Sequence, residues 1–103
     1  MSDTPIPPDD CATMADVRAG VDATDHELVA LLDRRFGYMR AAARIKPDRD
    51  AVRDETRKAA VIAAVRKDAD ARGLPSQELA EIWDRLVEAS IAYELEEWDR
   101  TRG

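Results

Sequence analysis

The sequence predicts an all-α protein of three helices, one long and two shorter, joined to a second copy in an intertwined homodimer. Three observations carry this expectation. Apolar residues make up 45% of the 103-residue chain and charged ones 37%, with only four Gly and five Pro, a mix that suits long helices with solvated outer faces. No alternating run of β-branched residues is long enough to suggest a sheet. From Thr13 to Lys46, alternating steps of three and four give Met14, Val17, Val21, Thr24, Leu28, Leu31, Arg35, Tyr38, Ala42 and Ile45. That is an a/d seam of about four and a half heptads, the pattern of a helix packed along its length against another helix.

Residues 1–12 (MSDTPIPPDDCA) are rich in Pro and Asp, lack periodicity and read as a flexible, extended arm, leaving 13–103 as the helical domain. Thr13 is a good N-cap, with Asp16 three residues on to favour the positive helix end. The first helix runs to Arg44 or Ile45, where Pro47 ends it, because the residue before a proline avoids helical geometry. Residues 47–53 form a charged connection. Asp54 is placed to cap the second helix, whose apolar face is Val61, Ile62, Val65 and Ala69. Arg72-Gly73-Leu74-Pro75 ends it, with Gly in the left-handed cap and Pro blocking continuation. Ser76 is expected to cap the third helix, with a buried stripe of Leu79, Ile82, Trp83, Leu86, Val87, Ser90, Tyr93 or Glu94, and Trp98. The expected lengths are about 32, 19 and 25 residues.

A chain this short holds one domain. Cys11 is the single cysteine, which excludes an internal disulfide and a zinc site and reads as an inert residue flanking the helix. His26 lies off the seam and has no Cys or second His with which to form a metal site. No metal and no cofactor are expected. There is no signal-peptide pattern and no apolar run long enough for a membrane span, so a cytoplasmic protein with no membrane partner is expected. The net charge of −6 argues against a nucleic-acid binder. Its distribution is uneven: residues 1–33 sum to −7, 34–67 to +7 and 68–103 to −6, so the cations gather in the middle of the chain.

At about 1.5 Å per residue the first helix is nearly 50 Å long, and the second is too short to cover its seam. A second copy of the long helix would, so the homodimer follows from length. Arg35 places a permanent cation on the seam. Ser90 and Glu94, four apart, share one face of the third helix. Glu94 could be Arg35's structural ion-pair partner. The other reading is a polar pocket that holds a small anion, since arginines grip carboxylates bidentately. Arg35 and Lys46, eleven apart, point the same way and stand about 16 Å apart along the axis. Arg18 is about 25 Å from Arg35 along the same helix. It can join that pair only from the other copy's antiparallel helix, so such a site is shared across the dimer.

The pattern Asp16-Val17-Arg18-x-x-Val21-Asp22-x-x-Asp25-x-x-Leu28-Val29-x-Leu31-Leu32-x-Arg34-Arg35, followed by Ala-rich sequence and Lys46, resembles the all-helical chorismate mutase family. The ending Ile91-Ala92-Tyr93-Glu94…Trp98-x-x-Thr101-Arg102-Gly103, with Cys11 ahead of the first helix, is similar to the isochorismate pyruvate-lyase branch of that family. The resemblance implies that a partner's Arg18 and the chain's own Arg35 hold two substrate carboxylates. It implies that Lys46 contacts the ether oxygen of the breaking bond, and that Arg57 stands at the site's entrance. Asp54 matches an aspartate near the substrate hydroxyl, and Ser90 a serine that mutases carry. Glu94 falls where many members have Gln and some Glu, and it would donate to the ether oxygen only when protonated, a state that burial favours. Lys58 departs from the pattern, since mutases usually carry a hydroxyl-binding Glu there.

Three functions are therefore expected, in this order. The first is a chorismate mutase acting on a small dicarboxylate, the second an isochorismate pyruvate-lyase yielding salicylate. The third is a non-enzymatic helical scaffold or regulator in which Arg35 and Glu94 pair internally.

Overall fold

The computed structural model describes residues 4–103. Among these the order is a 3-10 turn at Pro8–Asp10, helix α1 (Met14–Ile45), a 3-10 turn at Arg49–Ala51, helix α2 (Glu55–Ala71) and helix α3 (Ser76–Arg102), with no strand. The helices hold 32, 17 and 27 residues, so the second is shorter and the third longer than expected. The chain divides between Arg35 and Phe36 into two compact units.

In the first unit, α1 opens on a reciprocal cap. Thr13 Oγ1 accepts from the Asp16 amide at 3.1 Å, while Asp16 Oδ2 accepts from the amides of Ala12 at 3.0 Å and Thr13 at 3.2 Å. Amides that a helix start leaves unpaired are thereby satisfied. The Ala12 amide, foremost, holds the Asp16 carboxyl below its ordinary range. Residues 1–3 of the expected arm lie outside the described residues. The rest is not simply extended, because Pro8 opens a turn closed by Asp10 N–H donating to Pro7 O at 2.9 Å. That turn places Pro5, Ile6, Pro8 and Cys11 along Val17, Gly20 and Val21, framing an apolar groove of about 510 Å³.

Along α1 the predicted seam is largely uncovered. Met14 is 59% exposed, Val21 52%, Leu28 49% and Leu31 56%. Only Ala43 is buried on this helix.

In the second unit, α2 and α3 pack together, and the turn at 49–51 packs on α3. Val52, Val87 and Ile91 form the buried cluster, with Val61, Trp83, Leu95 and Trp98 packed against it. Asp54 caps α2 as expected, its Oδ1 accepting from the Arg57 amide at 3.0 Å. The end of α2 is a Schellman turn: Leu74 N–H reaches Ala69 O at 2.9 Å, Gly73 N–H reaches Asp70 O at 3.1 Å, and Gly73 takes φ 69°. Two expectations are corrected in α3. Ser76 is not the cap but the first helical residue, with Pro75 at the cap position and no side-chain cap bond. Proline suits an N-terminal boundary because it has no amide hydrogen to satisfy. Ile82 is 56% exposed rather than buried, while Ala80, two residues earlier and on nearly the opposite face, is buried.

Candidate functional site

The second unit brings Lys46 and Glu94 together. Lys46 follows the last residue of α1, and its amide still closes a helical turn on Ala42 O at 2.9 Å. Its ammonium Nζ stands 2.7 Å from Glu94 Oε2 and donates to Val52 O at 3.5 Å. Glu94 projects from the middle of α3, where it is only 4% exposed. The Nζ–Oε2 approach brings opposite charges into contact, yet Oε2 has no partner at hydrogen-bonding angles. The buried carboxylate is therefore met by a cation. Ser90, one turn earlier and buried, donates from its hydroxyl to Leu86 O at 2.7 Å. An Arg35–Glu94 pair was one of two readings of the spacing; within this unit Glu94 pairs with Lys46, 48 residues away in sequence.

The other predicted residues are distributed as follows. Arg18, exposed, and Arg35, half-buried, belong to the first unit. Asp54 uses its carboxylate as the α2 cap, and Arg57 is an exposed residue of the first turn of α2. Lys58, at the position that departs from the family pattern, is committed to α3: its Nζ lies 2.7 Å from Glu88 Oε2 and 2.9 Å from Asp84 Oδ1. Those hydrogen bonds, to Glu88 foremost, raise the Lys58 ammonium above its ordinary value. Arg53 forks onto the same Glu88 at 2.8 and 3.1 Å and also meets Glu55 at 2.8 Å.

Sequence reasoning missed what surrounds Lys46. Trp98 Nε1 donates to Lys46 O at 3.2 Å, and the Arg102 guanidinium donates to Ala43 O at 3.0 Å and Lys46 O at 2.7 Å. Next to Trp98, Asp99 receives a two-pronged bond from Arg49 at 2.9 and 3.2 Å. Trp98 stood on the predicted stripe, and Arg102 is a cation in a last helical turn; neither signal points to the end of a different helix 52 to 59 residues away. Arg40 donates to Tyr93 Oη at 2.7 Å, and Phe36 meets the Tyr93 ring edge-on at 4.9 Å, one residue before Glu94.

An ammonium held against a buried carboxylate can meet charge that develops on an oxygen, and it needs no nucleophile to do so. Among the described residues, no group of three or more His, Cys, Asp or Glu is placed to hold a metal ion. Nor is any helix among them long and apolar enough to cross a membrane.

The family model for chorismate mutase type II matches residues 17–95, from the second turn of α1 to just past Glu94. The isochorismate pyruvate lyase of Pseudomonas aeruginosa is 31% identical over 96 residues, covering 93% of this chain and 95% of the relative. Both matches run through Lys46 and Glu94 and through all three helices, and on that extent the protein is a member of the chorismate mutase family.

Proposed function

We propose that the protein is a chorismate mutase, rearranging chorismate to prephenate in a cationic site that two protomers share. The observation that carries this reading is the Lys46 ammonium set 2.7 Å from the buried Glu94, in a chain of this family. The rearrangement breaks an ether C–O bond as a C–C bond forms, in one pericyclic step. The site's tasks are to hold the reactive conformer and to stabilise negative charge growing on the ether oxygen. Arg35 and a partner protomer's Arg18 suit the two carboxylates, because guanidinium and carboxylate match as bidentate pairs. Lys46 suits the ether oxygen, and Glu94, when protonated, can donate to it as well. Arg57 and the other cations of residues 34–67 draw in the dianion. Ser90, beside Glu94, favours the mutase over the lyase.

The second reading, isochorismate pyruvate-lyase, is favoured by the relative of that name and by the Trp98-x-x-Thr101-Arg102-Gly103 ending. Elimination of pyruvate uses the same cationic pocket. Incubating the purified protein with each substrate decides between them. Prephenate from chorismate supports the mutase, and salicylate with pyruvate from isochorismate supports the lyase. Turnover of neither leaves a non-enzymatic helical protein.

A further inference from the structure

A helix leaves its last carbonyls without intrahelical partners. At the end of α1 two of these, on Ala43 and Arg44, are met by one side chain from the end of α3, which also reaches the carbonyl of Lys46. The Arg102 guanidinium donates to Ala43 O at 3.0 Å, Arg44 O at 3.5 Å and Lys46 O at 2.7 Å. Its forked, rigid donor set suits several acceptors at once, and its charge suits the negative end of the helix dipole. The same guanidinium lies 4.3 Å over the Trp98 ring, whose Nε1 gives Lys46 O a second hydrogen bond at 3.2 Å. Trp98 is itself packed against the Val52, Val87 and Ile91 cluster, so the arrangement is anchored in the core. One residue on, the Arg49–Asp99 fork ties the following connection to the same turn of α3.

We propose that Trp98 and Arg102 are positioning residues that clamp the end of α1 and so fix where the Lys46 ammonium stands. The proposal deepens the reading of Lys46 as the group that meets the ether oxygen, and its catalytic half rests on that reading. Two of the bonds go to the carbonyl of Lys46 itself, and Pro47 stiffens the chain just beyond it. From the backbone so held, the side chain reaches Glu94 Oε2 at 2.7 Å and Val52 O at 3.5 Å. A displacement of even about 1 Å at such a group is enough to cost catalysis orders of magnitude.

The test compares the full-length protein with Arg102→Ala, Arg102→Lys and Trp98→Phe. Arg102 is exposed, so its loss opens no core, and Trp98→Phe keeps an aromatic ring while deleting the N–H donor. Hydrogen exchange is read at the amides of residues 44–46, and kcat and KM on whichever substrate the protein turns over. The expected result is faster exchange at 44–46 in all three variants, with the middle of α2 and α3 unchanged. In Arg102→Ala, kcat falls about tenfold while KM moves by less than about threefold, the mark of an interaction lost in the transition state. Arg102→Lys recovers only part of kcat, since an ammonium cannot span three carbonyls, and millimolar guanidinium restores part of the Arg102→Ala activity. Unchanged exchange at 44–46 overturns the clamp. A lower Tm with kcat unchanged in the folded fraction overturns the positioning role. If the wild-type protein turns over neither substrate, the functional reading falls, and the exchange data still decide the clamp.

Discussion

A carboxylate taken out of water is costly unless a cation meets it, and Glu94 has Lys46 in that place. Removing either member should therefore show in stability as well as in activity. Lys46→Met leaves Glu94 buried without its cation and should lower unfolding free energy by roughly 1–3 kcal/mol, the cost of an unmet buried polar group. It should also lower kcat by about 10²–10³, the loss that follows deletion of one donor to a developing oxyanion. Adding Glu94→Gln to Lys46→Met should recover much of the stability and none of the missing charge, so denaturant melts and kinetics separate the two roles. Glu94→Gln alone replaces an acceptor-only carboxylate with an amide that always carries N–H. If a donor at this position serves the reaction, kcat should hold or rise; a kcat lost by about tenfold or more in the folded fraction would remove Glu94 as a donor. Of these residues, Glu94 and Ser90 were legible in the sequence as polar positions on an apolar stripe, and Lys46 by its eleven-residue spacing from Arg35. Their pairing was not. Helical spacing relates residues on one helix, and nothing in it says that Lys46 meets a residue of α3.

At the scale of elements, α2 is held to α3 by more than the apolar cluster. Glu88 sits between Arg53 and Lys58, and their hydrogen bonds, that of Arg53 foremost, lower its carboxyl from 4.5 to about 2. A carboxyl lowered by folding contributes stability above its ordinary value, and that contribution is lost as pH falls through the folded one. The window here runs from about 4.5 down to about 2. The Tm advantage of wild type over Glu88→Gln should be full at neutral pH and shrink across that window. An advantage that stays constant from neutral pH to the acid limit would show that the Arg53–Glu88–Lys58 network contributes nothing through charge. Screening by salt should reduce the advantage, since these side chains reach solvent. The helices themselves were legible because periodicity, the Thr13 and Asp54 caps and the Gly73-Leu74-Pro75 stop are local signals. Ser76 misled because Ser is a favoured cap and Pro75 occupies that position with no side-chain bond. Ile82 misled because a stripe wide enough to include it exceeds the face that α2 covers. The hold of Trp98 and Arg102 on α1 is a contact between two helix ends 52 to 59 residues apart, which local pattern does not encode.

At the scale of the whole molecule, the seam of α1 poses the remaining question, since Met14, Val21, Leu28 and Leu31 lie open along one face. A regular apolar stripe of this length invites a matching helix, and the proposed site requires a second protomer's Arg18. A two-fold interface repeats each substitution, so a Leu28→Glu change counts twice. At roughly 1.5–3 kcal/mol for each buried Leu, dimer affinity should weaken by about 10²–10⁴, with the loss read by sedimentation. A wild-type protein that sediments as a monomer at micromolar concentration would remove the dimer. Whether the site is shared can then be decided without a structure of the pair. Arg18→Ala and Lys46→Met are each expected to be nearly inactive. Mixed, unfolded and refolded together, they form hybrids, and a shared site would leave each hybrid one site with both substitutions and one with neither. If Arg18 reaches across the interface, random pairing makes half of the dimers hybrids with one intact site of two, and about a quarter of wild-type activity returns. If Arg18 and Lys46 serve the same protomer's site, every site in the hybrid lacks one of them and no activity returns. The complementation assay thus separates a shared pocket from two independent ones, whichever substrate the pocket takes.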